Sequence, residues 1–255
     1  MTQRQLHELR RLASGLLTAL VAASLAIPTA LAGPPYVSDD PEPTDERQFE
    51  IYAFGSGMVV REGIGGAAGL DINYGALPDL QLTAVLPVAY DSPSSGATVA
   101  GFGDMELAAK YRIVRQAALG WDIAVFPRVI LPSGSRRVGE RHASFLLPLW
   151  LEKDFGDWST FGGGGCEINR GGGSKDFCLL GWALTRQVLP ELQLGAEIFH
   201  QSAATKSGRP TTGIGAGLRY DVSANYHLLA YGGSGIQNAR QSNELSWYAA
   251  VLFAF

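Results

Sequence analysis

The stretch of sequence that decides the fold is residues 104–113, DMELAAKYRI. One set of alternate positions is apolar: Met105, Leu107, Ala109, Tyr111 and Ile113. The other set is Asp104, Glu106, Ala108, Lys110 and Arg112, and it contains every charged residue of the stretch. A helix would scatter these charges around its circumference, whereas a strand places alternate residues on opposite faces. The stretch therefore predicts a β-strand with one apolar face and one charged face.

The same alternation recurs along the chain and defines the architecture. It predicts twelve strands near residues 47–58, 66–75, 79–90, 103–113, 120–132, 143–154, 158–167, 177–187, 191–202, 211–221, 226–235 and 244–255. Short connectors alternate with longer polar ones, as in outer-membrane barrels with short turns at one end and long loops at the other. Segments of about ten residues also suit tilted membrane-spanning strands. We expect an all-β protein with a single antiparallel up-and-down transmembrane β-barrel of about 12 strands.

Three prolines fall inside the predicted strands, at Pro87, Pro127 and Pro148. Proline removes a ladder hydrogen bond, so these positions predict bulges or local kinks.

The composition is consistent with this reading and excludes several alternatives. The 255 residues include 32 glycines, only 17% charged residues and a formal net charge of −4, with a mean hydropathy of +0.06. A polytopic helical membrane protein is excluded, because each crossing would need about 20 apolar residues and the one apolar run of that density lies at the extreme N-terminus. Low charge argues against disorder, and the acidic balance argues against a nucleic-acid partner. Composition alone leaves a soluble all-β protein open, but long loops at every second connection favour the barrel.

The N-terminus predicts export. Residues 1–32 contain a basic start, an apolar stretch over 12–27 and small residues at Ala30 and Ala32, which is the layout of a cleaved signal peptide. Cleavage would remove three arginines and one glutamate and leave a net charge of −6. Residues 33–46 are acidic and rich in proline, which predicts an extended leader on the periplasmic side rather than a core element. The barrel would then occupy residues 47–255.

Charge placement predicts the lumen and the outer rim. Because the apolar face must contact lipid, the charged face should line a wet, ion-paired lumen. The residues expected to line it are Asp71, Asp104, Glu106, Lys110, Arg112, Asp122, Arg128, Glu197 and Arg219. The long loops hold nine basic residues, and we expect Arg136, Arg137 and Arg141 to face lipopolysaccharide phosphates. Ordinary solvated loops are the alternative.

Several motifs resemble a known family of outer-membrane proteins. Residues 32–43, AGPPYVSDDPEP, resemble the mature N-terminus of the proteins associated with the meta-pathway of phenol degradation. Residues 101–107, GFGDMEL, are similar to that family's most recognisable motif, and residues 131–134 and 217–223 fit later parts. Members are often called transporters, which implies passage of small, aromatic or hydrophobic compounds. The terminal Phe255, closing an alternating strand, also resembles the signal read by the barrel-assembly machinery.

Two pairs of residues have a spacing that points to chemistry. His200 and Ser202 lie two residues apart on one strand face, the spacing of a His-x-Ser lipid hydrolase, but Ala203 and Ala204 follow instead of Asn-Gly. Cys166 and Cys178 flank a long loop on neighbouring strands, and we expect a disulfide there in an oxidising compartment. Two reduced residues out of register are the alternative.

The sequence thus predicts an outer-membrane channel or transporter for small molecules. A structural or adhesive barrel with a blocked lumen and a lipid hydrolase using His200 and Ser202 are the alternatives. The four histidines lack metal-ligand spacing, and we expect no metal, no other cofactor and no nucleic acid. The expected partners are outer-membrane lipid, lipopolysaccharide, the barrel-assembly machinery and a small solute.

Overall fold

The computed structural model describes residues 35–171 and 173–255, and these form one antiparallel sheet of fourteen strands. The strands are β1 (Phe49–Val60), β2 (Gly63–Leu77), β3 (Leu80–Pro93), β4 (Val99–Phe102), β5 (Glu106–Val114), β6 (Asp122–Val125), β7 (Arg128–Ile130), β8 (Ser144–Phe155), β9 (Trp158–Asn169), β10 (Phe177–Leu189), β11 (Leu192–Gln201), β12 (Thr211–Asp221), β13 (Tyr226–Gln237) and β14 (Leu245–Ala254). Two helices of four residues, α1 (Gln116–Leu119) and α2 (Ala239–Ser242), lie in connections. Within the described ranges no helix is long and apolar enough to cross a membrane.

The sheet closes on itself through its first and last strands. β1 pairs with β14 over ten residue pairs, from Glu50 opposite Ala254 to Val59 opposite Leu245. Closure gives β1 and β14 a paired strand on both sides, so neither is left with an open edge. The predicted fold class, an antiparallel up-and-down barrel, is confirmed.

The fourteen strands correspond to twelve strands of the barrel wall. β4 and β5 both pair with β3, and β6 and β7 both pair with β8, so each of these two pairs is one interrupted strand. Phe126 and Pro127 separate β6 from β7, which is the kink predicted from Pro127. Pro87 and Pro148 remain inside β3 and β8, and the pairing of β3 with β2 and of β8 with β9 continues past them without a register shift, so the kink predicted at these two positions is wrong. Their carbonyl groups accept hydrogen bonds from the N–H groups of Gly103 and Phe126, which lie in the interruptions of the neighbouring wall strands. The predicted strand number is therefore confirmed.

The predicted strand boundaries are least accurate at the long-loop end. β2 begins at Gly63 and β3 extends to Pro93, and β4 lies in a stretch predicted as loop. Glycines at positions 63, 65 and 66 carry no side chain and so contribute no alternation to the sequence. The pairing of β2 with β3 continues through them because it depends on the backbone.

The two faces of the wall have the predicted chemistry. Large apolar side chains such as Leu82, Leu107 and Ile198 are exposed on the outer face. Polar side chains such as Gln81 and Thr83 alternate with them on the inner face and are buried. The outward face is therefore the lipid face, and the inner face surrounds the lumen.

Cys166 and Cys178 are directly opposite each other on β9 and β10 and form a disulfide, with their Cα atoms 4.0 Å apart. Both lie on the outer face near the long-loop end of the hairpin. The bond closes a loop with a sequence separation of 12 residues.

We expect the double variant Cys166→Ser/Cys178→Ser to lower the free energy of unfolding by about 3 kcal/mol, because a loop of this length loses its covalent closure. Urea unfolding of the barrel in detergent micelles measures the change. Reduction of the wild-type protein should reproduce it, whereas the double variant should not respond to reductant. Equal unfolding midpoints for wild type and variant would contradict the prediction.

Candidate functional site

The candidate site is the lumen, and residues 35–45, here called the lumenal segment, lie inside it. The acidic, proline-rich composition of this stretch predicts an extended leader on the periplasmic side and does not say whether the leader enters the lumen. In the structure Ser38, Asp40, Pro41 and Thr44 are buried among side chains of the inner wall. The physical reason for the difference is charge: the segment is acidic, and the wall supplies bases that composition alone could not locate. Residues 1–32, the expected signal peptide, lie outside the described residues.

Glu197 on β11 holds one end of the lumenal segment. The backbone N–H groups of Val37 and Ser38 donate hydrogen bonds to its two carboxylate oxygens at 2.9 and 3.0 Å. The Ser38 hydroxyl donates a third, at 3.0 Å. Glu197 is buried, and a buried carboxylate requires such donors to replace water. Glu197 therefore acts as an anchor for the segment.

Two bases on the opposite wall bind the middle of the lumenal segment. The Lys110 ammonium lies 3.1 Å from a carboxylate oxygen of Asp39 and 3.4 Å from one of Asp40. The Arg128 guanidinium lies 2.8 Å from Asp39 and 3.3 Å from Glu106. Both cations also lie over the ring of Phe126. The side chain of Lys110 is only 5% exposed, so the ion pairs replace most of its hydration.

The other end of the lumenal segment joins the wall at β1, β2 and β3. The Thr44 N–H donates to the Gln81 side-chain oxygen at 2.8 Å, and the Gln81 amide donates to Asn73 at 2.7 Å. Beyond the segment, Glu46 forms a parallel bridge with Gly75. The segment therefore crosses the lumen from the β11 wall to the β2 wall.

Glycines on the wall leave the space that the lumenal segment occupies. A Cβ atom at Gly181 would meet the Ser38 hydroxyl, and one at Gly195 would meet the Tyr36 hydroxyl. A Cβ atom at Gly75 would overlap the backbone of Asp45. These glycines are the sequence signal that could have placed the segment in the lumen, but alternation alone does not distinguish them from the many other glycines of the chain.

A cavity of about 410 Å³ remains between the lumenal segment and the wall. Its wall side is formed mainly by β1, β2, β3 and β12–β14, with Glu50, Tyr52, Asp71 and Tyr248 among the lining residues. Asp71 was predicted to line the lumen, whereas Glu50, Tyr52 and Tyr248 were not.

The remaining charged residues predicted for the lumen form pairs near the short turns. The Arg112 guanidinium lies 2.9 Å from Asp79 and 3.7 Å from Asp122, and Arg219 lies 3.0 Å from Asp221. Asp79 lies in the turn between β2 and β3, and its second carboxylate oxygen is 2.8 Å from the Arg115 guanidinium. Burial by itself would raise the pKa of Asp79, but the hydrogen bonds from Arg115 and Arg112 hold that pKa below its ordinary value.

Asp104 differs from the other residues predicted to line the lumen. It lies in the interruption between β4 and β5, and its two oxygens accept hydrogen bonds from the N–H groups of Gly134 and Glu140 at 2.8 and 2.6 Å. The Ser135 N–H also donates to the Phe102 carbonyl at 2.7 Å. Asp104 thus fastens the long loop between β7 and β8 to the wall. Alternation assigned it to the charged face but could not reveal the interruption of the strand.

The other residues singled out from the sequence lie at the long-loop end. Arg136, Arg137 and Arg141 are exposed in the loop that Asp104 holds. His200 Nδ1 is 2.9 Å from the Thr212 hydroxyl. The Ser202 hydroxyl oxygen accepts a hydrogen bond from the Cys178 N–H at 2.9 Å. His200 and Ser202 therefore have different hydrogen-bond partners.

Comparisons with solved structures assign the class of the fold. An outer membrane channel from Pseudomonas putida F1 aligns with a TM-score of 0.70 and 15% identity, over 85% of this chain and 98% of that chain. The KdgM porin aligns with a TM-score of 0.55 and 14% identity, over 81% and 99%. The NanC porin aligns with a TM-score of 0.55 and 8% identity, over 80% and 98%. The chain therefore has the β-barrel fold of outer-membrane channels and porins.

The family follows from the sequence match. The model of the family described as the MetA-pathway of phenol degradation matches residues 62–247, which is most of the chain. The chain belongs to this family, and the resemblance drawn from its motifs is confirmed. No curated protein matches the chain.

We expect Glu197→Ala to release the lumenal segment, because three hydrogen bonds to one buried carboxylate are lost and each such bond contributes about 1.5–3 kcal/mol. A Val37→Cys substitution keeps all three donors to Glu197 and supplies a thiol whose labelling by a membrane-impermeant maleimide reports exposure, since Cys166 and Cys178 are joined. Glu197→Ala should raise the labelling rate by about tenfold or more, because about 1.4 kcal/mol corresponds to a factor of ten.

Asp157→Asn is the matched control, because it removes a carboxylate in an exposed short turn. It should leave the labelling of Val37→Cys unchanged. Equal labelling rates with and without Glu197 would show that this residue does not hold the segment.

Proposed function

We propose that the barrel is a diffusion channel for small molecules, with the lumenal segment as its constriction. The observation that carries this proposal is the cavity of about 410 Å³ that runs between the segment and the inner wall. This volume lies in the range of small-molecule sites. Exposed residues at the short-turn end, such as Asp45 and Gln48, form part of its lining, so a solute could enter the cavity from that end.

The lining favours solutes that are small and polar or that combine a ring with polar groups. Tyr52 and Tyr248 offer aromatic surface, while Asn73 and Gln81 offer hydrogen-bonding groups. Phenolic compounds, which the family description suggests, combine these two features. Apolar compounds without polar groups would not replace the hydrogen bonds that water makes with this lining.

We expect deletion of residues 36–43 to increase the single-channel conductance severalfold, because the deletion removes most of the chain that fills the lumen. Planar-bilayer recording of the purified protein measures it. Deletion of residues 94–96, in an exposed loop outside the lumen, is the matched control and should leave the conductance unchanged. Absence of conductance in both the wild type and the lumenal deletion would favour the alternative of a structural barrel with a blocked lumen.

The hydrolase alternative is disfavoured by the geometry around His200. Its Nδ1 atom is engaged with Thr212, and the Thr212 hydroxyl in turn donates to Gln237 at 2.8 Å. The Ser202 hydroxyl accepts from the backbone of Cys178. A general base must lie within hydrogen-bonding distance of its nucleophile. We therefore propose that His200 and Ser202 stabilise the ends of their strands and that the protein is not an enzyme.

Two partners are also proposed from exposed groups at the two ends of the barrel. Arg136, Arg137 and Arg141 suit the phosphates of lipopolysaccharide, which guanidinium groups bind in bidentate fashion.

At the closing seam, the backbone of Phe255 is paired with that of Phe49, while 64% of Phe255 is exposed. The exposed ring of Phe255 suits recognition by the barrel-assembly machinery.

We expect the triple variant Arg136→Gln/Arg137→Gln/Arg141→Gln to lower the barrel's thermal stability only in bilayers that contain lipopolysaccharide. In bilayers of neutral phospholipid the variant and the wild type should unfold at the same temperature. Arg47→Gln, at the short-turn end, is the control and should behave like the wild type in both. An equal loss of stability in both bilayers would show that the loop arginines act within the protein instead.

A further inference from the structure

The charge of the cavity beside the lumenal segment is strongly one-sided. Seven carboxylates and three basic side chains line it, leaving the imidazole of His227 aside. Four of these carboxylates, from Asp39 to Asp45, belong to the lumenal segment itself. The segment therefore narrows the lumen and adds negative charge to it at the same time.

Each basic side chain of the lining is already paired with a carboxylate. Lys110 is bound by both Asp39 and Asp40. Arg128 lies between Asp39 and Glu106, and Arg219 is paired with Asp221. Paired in this way, the cations contribute little net field to the cavity, because an ion pair seen from a distance is only a dipole.

Two wall carboxylates face the cavity with neutral hydrogen-bond donors only. Glu50 accepts from the Thr44 hydroxyl at 3.2 Å, and Asp71 accepts from the Asn73 amide at 3.0 Å. Within residues 35–171 and 173–255, neither carboxylate has a Lys, Arg or His nitrogen within 4.0 Å. They occupy the same stretch of inner wall, because Asp71 is opposite Tyr52 in the β1–β2 register. Neutral donors orient these carboxylates without cancelling their charge.

We infer that the channel is selective for cations and that Glu50 and Asp71 are the residues that set this selectivity. The inference rests on the proposed channel function and adds the sign of charge that the cavity favours among charged solutes: small cations, inorganic or organic, over anions. A negative cavity with low-dielectric walls concentrates counter-ions. A negative electrostatic potential in the cavity that is worth only one kT per unit charge would enrich K⁺ over Cl⁻ by about sevenfold, since it attracts one ion and repels the other.

The test is the reversal potential of the reconstituted channel across a KCl gradient at low ionic strength, where screening is weakest. We expect a wild-type permeability ratio of K⁺ to Cl⁻ of about five or more. Asp71→Asn and Glu50→Gln remove charge while keeping the shape and an acceptor oxygen. Each should lower the ratio, and the double variant should lower it further than either single variant. Asp157→Asn, in an exposed turn, should leave the ratio at the wild-type value.

The outcomes separate this inference from the channel function on which it rests. A protein that conducts with a K⁺ to Cl⁻ ratio at or below unity keeps the channel function and overturns the cation selectivity. A wild-type ratio above unity that both variants leave unchanged overturns the roles of Glu50 and Asp71. Absence of any conductance, also after deletion of residues 36–43, contradicts the channel function itself. If a variant does not fold, the wild-type ratio still decides the sign of the selectivity.

Discussion

The constraint on which the whole structure depends is the pairing of every backbone polar group inside the membrane. Hydrocarbon offers no hydrogen bonds, so a sheet can span the bilayer only if its first and last strands meet. Here β1 and β14 provide that closure over ten residue pairs. The prolines inside the strands also meet it, since the carbonyl groups of Pro87 and Pro148 accept hydrogen bonds from the N–H groups of Gly103 and Phe126. Closure also fixes the size of the lumen, because the diameter of a barrel grows with its number of strands.

The lumen of a twelve-stranded barrel that is lined by charges of both signs must be filled either by water or by protein. The chain fills part of it with its own lumenal segment, and the contacts explain why that arrangement is stable. Lys110 is almost completely buried, and an unpaired ammonium there would be costly. Asp39 and Asp40 provide its counter-charge, while Glu197 receives the backbone of the segment. Wall and segment therefore complete each other: each carries buried polar groups that the other satisfies.

The sequence predicts the wall well and its contents poorly, and the reason is physical. Alternation depends on which face each side chain occupies, so the strands and most of the lumen-facing residues follow from it. Alternation carries no information about which lumenal charges form ion pairs, because these contacts join segments that are far apart in sequence. Lys110 and Arg128 were assigned to the lumen, but their partner Asp39 lies 71 and 89 residues away. Residues 35–46 contribute no strand to the sheet, and their acidic, proline-rich composition could not say where they lie.

Asp104 shows where alternation itself fails. The face of a residue is defined only while the strand is continuous, and the wall is interrupted between β4 and β5. There the carboxylate turns to the amides of Gly134 and Glu140. Two motifs that appear separate in the sequence, residues 101–107 and 131–134, thus form one unit that holds the loop between β7 and β8. The charges of the inner wall therefore have distinct roles: Asp104 fixes a loop, Glu197 anchors the segment, and Lys110 and Arg128 neutralise it. Only the charges with no such role, Glu50 and Asp71 among them, remain to act on a solute in the cavity.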